Sequence, residues 1–300
     1  MSDAAITEAA LSGHETVVSP PGVFRSAAHM WRTRIGLALV VFIVGIAIVG
    51  PWVAPYGPTE AVGSGIPFDR DAPDSLFGTG YLGQDVWSRF LHGGREILLT
   101  AAIATALAII IGAGLGLYAA YARGAVDNII MRTLDVVLAF PSLLLALVIF
   151  TTFGVKNWLI IIVVGGTSVP RIARVVRGAT VPVVERDFIG AAEALGESRR
   201  FIVLRELLPN VSAPLLVEAS LRLAYSIAII SSLGFLGFTE KLNAPNWGVM
   251  VQEGRGTTET QPWAVIVPVA AIAILTIGAG LIADGITRAN AGIDRGRAET

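Results

Sequence analysis

The sequence contains no cysteine. That excludes disulfides, thiolate metal sites and a cysteine nucleophile. Histidine is nearly absent too: His14, His29 and His92 are the whole set, too widely spaced for an HExxH-type metal cluster. The lysines are Lys156 and Lys241, and neither follows a glycine. A Walker A loop requires Gly-Lys-Ser/Thr, so ATP chemistry is not in this chain. Charge of either sign is scarce. Only 15% of the 300 residues are charged, 54% are hydrophobic, and the mean hydropathy is +0.69. Soluble domains carry about 25% charge. The net charge of −1 offers no footing for nucleic acid. No internal repeat is visible, so nothing points to the inverted repeats of many secondary transporters.

What the chain does have is long apolar runs. A bilayer core of about 30 Å requires roughly 20 apolar residues in helix. Six spans are predicted. The first is Ile35–Thr59, ending near Ala54 because of Pro51 and Pro55. The second is Ile97–Ala122. The third runs from about Arg132 to Phe153, and the fourth from Asn157 to about Val176, with Arg171 and Arg174 snorkelling to an interface. The fifth, Asn210–Phe238, contains Glu218 and Arg222, and the sixth is Thr260–Ala283. Pro141 and Pro268 are expected to kink their spans. The fold class is thus all-α, a polytopic membrane protein with six transmembrane helices.

Six spans put both termini on one side. Of the 22 basic residues, fifteen fall in the segments on that side, six on the other and Arg222 within a span. The bias places both termini in the cytoplasm. The first apolar run follows a polar lead, and cleavage after Ala54 would face Pro55, so an uncleaved first helix is expected. "VFRSAAHMWRTR" suits a short interfacial helix, whereas Met1–Pro21 also reads as a flexible tail. The outer loop Pro55–Glu96 is expected to be ordered only in its second half, "SLFGTGYLGQDVWSRFLHGGREI". "NAPNWGVM", Asn243–Met250, is expected outside near the mouth, either touching a partner or simply closing the loop. The divisions are 1–34, a cytoplasmic segment; 35–96, the first helix and outer loop; 97–286, a five-helix core with a loop at 185–209; and 287–300, a cytoplasmic tail.

That loop contains "IGAAEALGESRRFIVLRELLPN", charged where its surroundings are oily. Phe188, Ile189, Ala192 and Leu195 share one face of a helix spanning Glu185–Leu195. Gly190, Ala191 and Ala192 form a small-residue patch that permits close approach. Gly196 fits a helix end with φ > 0, and Ser198 can cap a second helix, about Arg199–Leu208. Pro209 would sit in the first turn of the fifth span. Two readings stand: a surface helix on the membrane, or a docking element for a soluble partner. Glu218 and Arg222 lie i,i+4 inside a span, where ionisable groups face a cavity or a partner. Either they line a polar path and meet charged substrate termini, or they neutralise each other or cap a neighbouring membrane subunit. Arg132 with Asp135, and Asp284 with Arg288, have the spacing of juxtamembrane ion pairs.

The loop resembles the EAA motif of ABC importer permeases: EAA, three residues, Gly, nine residues, Ile, any residue, Leu-Pro. Gly190-Ala191-Ala192 holds the EAA place, Gly196 follows, and Leu208-Pro209 closes the pattern. Gly190 stands at the usual Glu and Glu206 at the usual Ile. "LFGTGYLGQDVWSRFLHGGR", "MRTLDVVLAFPSLLLAL", "SSLGFLGF" and "NWGVMVQEGR" resemble the dipeptide/oligopeptide/nickel subfamily, and within it the C-type permease. The resemblance implies a type I ABC importer permease in the bacterial inner membrane, importing peptides. Nickel chelates or other peptide-like solutes, or an ATPase-independent secondary transporter, are the alternatives. Its implied partners are a second, different permease, two cytoplasmic ATPases that bind the ATP and Mg, an extracytoplasmic binding protein and membrane lipid. No cofactor is implied in this chain. The coupling residues implied are Phe188, Gly190, Ala191, Ala192, Leu195, Gly196, Leu208 and Pro209.

Overall fold

A computed structural model describes residues 28–63, 65–240 and 244–291. Residues 1–27 and 292–300, with the first part of the expected interfacial helix, lie outside the described residues. The described chain is a bundle of helices. Five are long and apolar enough to cross a membrane, and a bent pair makes six if its two helices are counted as one span.

Helix α1 is Trp31–Val53 and α2 is Val86–Ala122. The second helix starts eleven residues before the uncharged run, because Asp85 caps it by accepting from the Ser88 backbone N–H at 2.7 Å. Hydropathy stops at Ile97, whereas the cap and the aromatic face of Trp87 and Phe90 carry the helix outward. Helix α3 is Gly124–Leu138 and α4 is Ser142–Phe153. The expected kink at Pro141 is a full break, with the two axes 77° apart. Pro141 stands at the N-cap of α4 in extended conformation, where a proline restricts the residue before it and its missing N–H is no loss.

Helix α5 is Asn157–Val184, one continuous rod past the expected end at Val176. It forms the most extensive pairing of the bundle with α2. That closeness depends on small residues. A Cβ added at Gly112 would lie 2.8 Å from the Ile172 Cβ, and one at Gly116 2.5 Å from the Ala173 carbonyl oxygen.

Helix α6 is Asp187–Ala194. Helix α7 opens as Arg199–Phe201, widens to π-helix over Ile202–Leu207 and closes as Leu208–Asn210. Helix α8 is Ser212–Phe235, α9 is Trp247–Gly254 and α10 is Trp263–Ala291. Pro268 lies inside α10 without ending it.

The segment between α1 and α2 is folded in both halves, contrary to the expectation for its first half. Val62 and Ala72 are buried, and the Val62 N–H donates to the Gly83 carbonyl at 2.9 Å. Gln261, fully buried, donates to the Phe77 carbonyl at 2.8 Å and ties this segment to the approach to α10. The NWGVM stretch lies inside: Trp247 is fully buried, stacks on Phe90, and donates from Nε1 to the Phe90 carbonyl at 2.9 Å. This favours loop closure over partner contact for Trp247. Its ring fills a notch at Gly94, where an added Cβ would lie 2.4 Å from the indole.

Candidate functional site

Two features stand out: an elbow at one end of the bundle, and a charged cluster within the spans. The elbow is α6 and α7. Helix α6 ends in a Schellman motif: the Gly196 N–H donates to the Glu193 carbonyl at 3.0 Å and the Glu197 N–H to the Ala192 carbonyl at 3.1 Å. Gly196 has φ +78°, which an L side chain would resist. Ser198 caps α7, its Oγ accepting from the Phe201 N–H at 3.3 Å. The two helices and the turn between them therefore follow from Gly196 and Ser198, as expected from sequence.

The interior of α7 does not. Pro209 was expected in the first turn of the fifth span, yet it lies in α7, and the span begins only at Ser212 after a break at Val211. A proline in a helix clashes with the carbonyl four residues back and cannot donate to it. The π-helical stretch answers this by widening the turn ahead of it: the Leu208 N–H reaches the Val203 carbonyl, five residues back.

One side of the elbow is anchored. Ile189, Ile202 and Leu207 are buried together with Leu117 of α2 and Val183 and Val184 of α5. The Tyr121 hydroxyl donates to Glu193 Oε1 at 2.8 Å. The other side is open. Leu195 is 83% exposed and Phe188 37%. Gly190 and Ala191 are exposed, and nothing lies within 4 Å of a Cβ added at Gly190. The face expected from periodicity is thus split: Ile189 points inward, Ala192 is half-buried, and Phe188 and Leu195 point out. Leu208 is half-buried and Pro209 exposed. Beside α6 lies a recess of about 560 Å³, lined by Tyr121, Arg123, Glu185, Asp187, Gly190 and Glu193 among others.

Above the elbow, α5 presents three arginines at three-residue spacing, each with its own partner. Arg177 grips Asp127 of α3 with two parallel bonds of 2.5 Å. Arg174 pairs with Asp135, so the expected Arg132–Asp135 pair is not formed: a guanidinium on the facing helix reaches the carboxylate instead. Arg171 lies over the Tyr225 ring of α8, 5.6 Å from its centroid. Arg171 and Arg174, expected to snorkel to an interface, both reach neighbouring helices. Glu218 and Arg222 meet as expected, at 2.8 Å, with side chains 9% and 13% exposed. Asp284 meets Arg288 at 3.2 Å and also Arg32 of α1 at 2.6 Å, which joins the first and last helices.

Sequence reasoning missed Arg177, Asp127, Tyr225, the contact of Arg171 with Tyr225 and the Arg89–Glu253 pair. The regular spacing of Arg171, Arg174 and Arg177 was the available signal, since it places all three along one side of a helix. For Asp127 we expect a measurable structural role. Asp127→Asn should lower stability in detergent by about 1–2 kcal/mol, and the double variant with Arg177→Gln should lose less than the sum of the two. Additive losses would mean that the fork contributes nothing.

With this geometry in place, comparison with known proteins is decisive. Residues 112–291 match the family described as "Binding-protein-dependent transport system inner membrane component". The chain belongs to that family. Residues 33–73 also match the "N-terminal TM domain of oligopeptide transport permease C". A putative peptide transport system permease protein of Brucella suis is 35% identical, over 84% of this chain and 85% of its own. The di/tripeptide transport system permease protein DppC of Pseudomonas aeruginosa is 33% identical, with 88% of each chain covered. The glutathione transport system permease protein GsiD of Escherichia coli is 33% identical, over 86% of this chain and 84% of its own. A solved chain of the MetNI methionine ABC transporter, in inward-facing conformations, overlays with a TM-score of 0.52 at 17% identity, covering 67% of this chain and 97% of that one. That likeness fixes the fold as a type I importer permease. This family member is therefore a multi-pass permease subunit of an ABC-type import system.

Proposed function

We propose that this permease serves an ATP-driven peptide importer and forms the translocation path together with a second, different permease. The observation that carries the reading is the elbow: a folded pair of short helices, anchored by Ile189, Ile202 and Leu207, that leaves Phe188, Gly190, Ala191 and Leu195 open to a partner. Exposed apolar and small side chains at a rigid tip fit a groove on a soluble subunit. We assign that partner as one of two ATPase subunits, which bind the ATP and Mg. A binding protein would deliver substrate at the opposite end. The arginine bias puts both termini and the elbow in the cytoplasm.

In this reading the chain converts motion rather than chemistry. Closure of the ATPases pushes on α6. Because α6 shares a buried cluster with α2, α5 and α7, the push reaches α5 and α8 as a rigid-body movement and switches the path between outward and inward access. Peptides are the substrate class because relatives at 33–35% identity carry peptide, di/tripeptide and glutathione in their names. The glutathione-named relative also favours peptide-like solutes as the second class.

The test is reconstitution of this chain with its second permease, the ATPases and the binding protein in proteoliposomes. ATP-dependent, vanadate-sensitive uptake of a di- or tripeptide is expected. Uptake that proceeds without the ATPases would identify a secondary transporter and overturn the reading.

A further inference from the structure

We infer that Arg171, Arg222, Tyr225 and Ser142 form a carboxylate-binding waist on the translocation path, through which the C-terminal carboxylate of a peptide passes. The inference rests on the peptide reading above and names the chemistry of the step inside the membrane.

Four side chains from three helices converge here. Two guanidiniums lie over the Tyr225 ring, Arg171 of α5 at 5.6 Å and Arg222 of α8 at 5.4 Å from its centroid. The Tyr225 hydroxyl is hydrogen-bonded to Ser142 Oγ, at the start of α4 directly after the break at Pro141. Arg222 sits ten residues into α8, about 15 Å along its axis, well inside a span. Lipid cannot cover such a face cheaply: an arginine at the bilayer centre costs at least about 2.5 kcal/mol. The cluster must meet water, protein or substrate.

Charge decides among these. Nearer the elbow, Arg174 is balanced by Asp135 and Arg177 by Asp127. Within the waist there are two cations and one anion. Glu218 balances Arg222, and the ion pairs found among the described residues leave Arg171 out. Arg222 also keeps a buried Nη1 with no hydrogen-bond partner. The site thus has one surplus positive charge, an orphaned guanidinium donor and a phenol ring that both cations contact. A carboxylate supplies the missing charge and accepts from the orphaned donor. Arg is suited to holding it without proton exchange, because its guanidinium stays charged. The break between α3 and α4 leaves Ser142 at a helix start, so that a movement of α4 alters the Tyr225 contact and can release the anion.

The experiment compares a tripeptide free acid with its C-terminal amide. Each is preloaded on the binding protein and given to the reconstituted complex. Wild type is expected to import the free acid faster. Arg171→Gln should cut free-acid import about tenfold or more and amide import less than twofold, while Arg171→Lys largely restores the preference for the acid. Equal losses for both peptides, or no loss for either, would overturn the waist. So would loss of the second permease from the purified Arg171→Gln complex, because Arg171 would then be an intersubunit tie. If wild type imports neither peptide, the peptide reading falls and takes this assignment with it. Import by wild type with unchanged selectivity in Arg171→Gln overturns this assignment alone.

Discussion

Glu253→Ala is expected to destabilise the protein by about 3–5 kcal/mol, because it breaks a buried ion pair and leaves the other charge behind. The side chain of Arg89 in α2 is 3% exposed and that of Glu253 in α9 is 13% exposed. Their closest contact is 2.6 Å, and a second lies at 3.4 Å. Taking away the carboxylate strands a guanidinium whose Nε already lacks a partner. The short helix α9 would lose its ion pair to α2 and keep the Trp247 indole bond to the Phe90 carbonyl as a polar tie there. Thermal unfolding in detergent measures the effect. A Glu253→Gln variant should recover part of the loss, since an amide oxygen can still accept a hydrogen bond. A loss below about 1 kcal/mol for the alanine variant would show that water replaces the carboxylate freely.

The second large effect concerns transport rather than stability. Ala192→Arg and Gly196→Glu should each abolish most ATP-dependent uptake while the protein still inserts. At 192 a long charged side chain would be forced against the cluster that anchors the elbow. At 196 any side chain meets a backbone with φ +78°, at a cost of about 1–2 kcal/mol, and the turn between α6 and α7 reopens. Normal insertion with uptake reduced tenfold or more, alongside ATPase activity that no longer responds to loaded binding protein, is the expected pattern. Full uptake in both variants would remove the elbow from coupling.

Much of this was legible in the sequence for reasons that are local. Spans follow from uncharged runs, and the elbow follows from Gly196 and Ser198, because a helix end and a helix start depend on single residues. The Glu218–Arg222 pair and the Asp284–Arg288 pair lie within i,i+4 reach, and the structure forms both. What failed was what spacing cannot see. Asp135 has a basic residue three positions back on its own helix, yet Arg174 on α5 takes it. Asp127 and Arg177 are fifty residues apart, and Arg89 and Glu253 are 164 apart. The extended start of α2 was hidden for a different reason. Arg89, His92, Arg95 and Glu96 break the hydropathy while leaving helix geometry untouched.

The π-helical turn at Ile202–Leu207 has a consequence for comparing chains of this kind. Its backbone bonds skip one more residue than an α-helix does, so the stretch stores a spare residue within an unbroken helix. Two chains can therefore span the same distance from Gly196 to Pro209 with counts that differ by one, one coiled wide and the other tight. Equal spacing of letters is not equal spacing in space, and a one-residue gap placed inside Ile202–Leu207 leaves both ends of the elbow superposed.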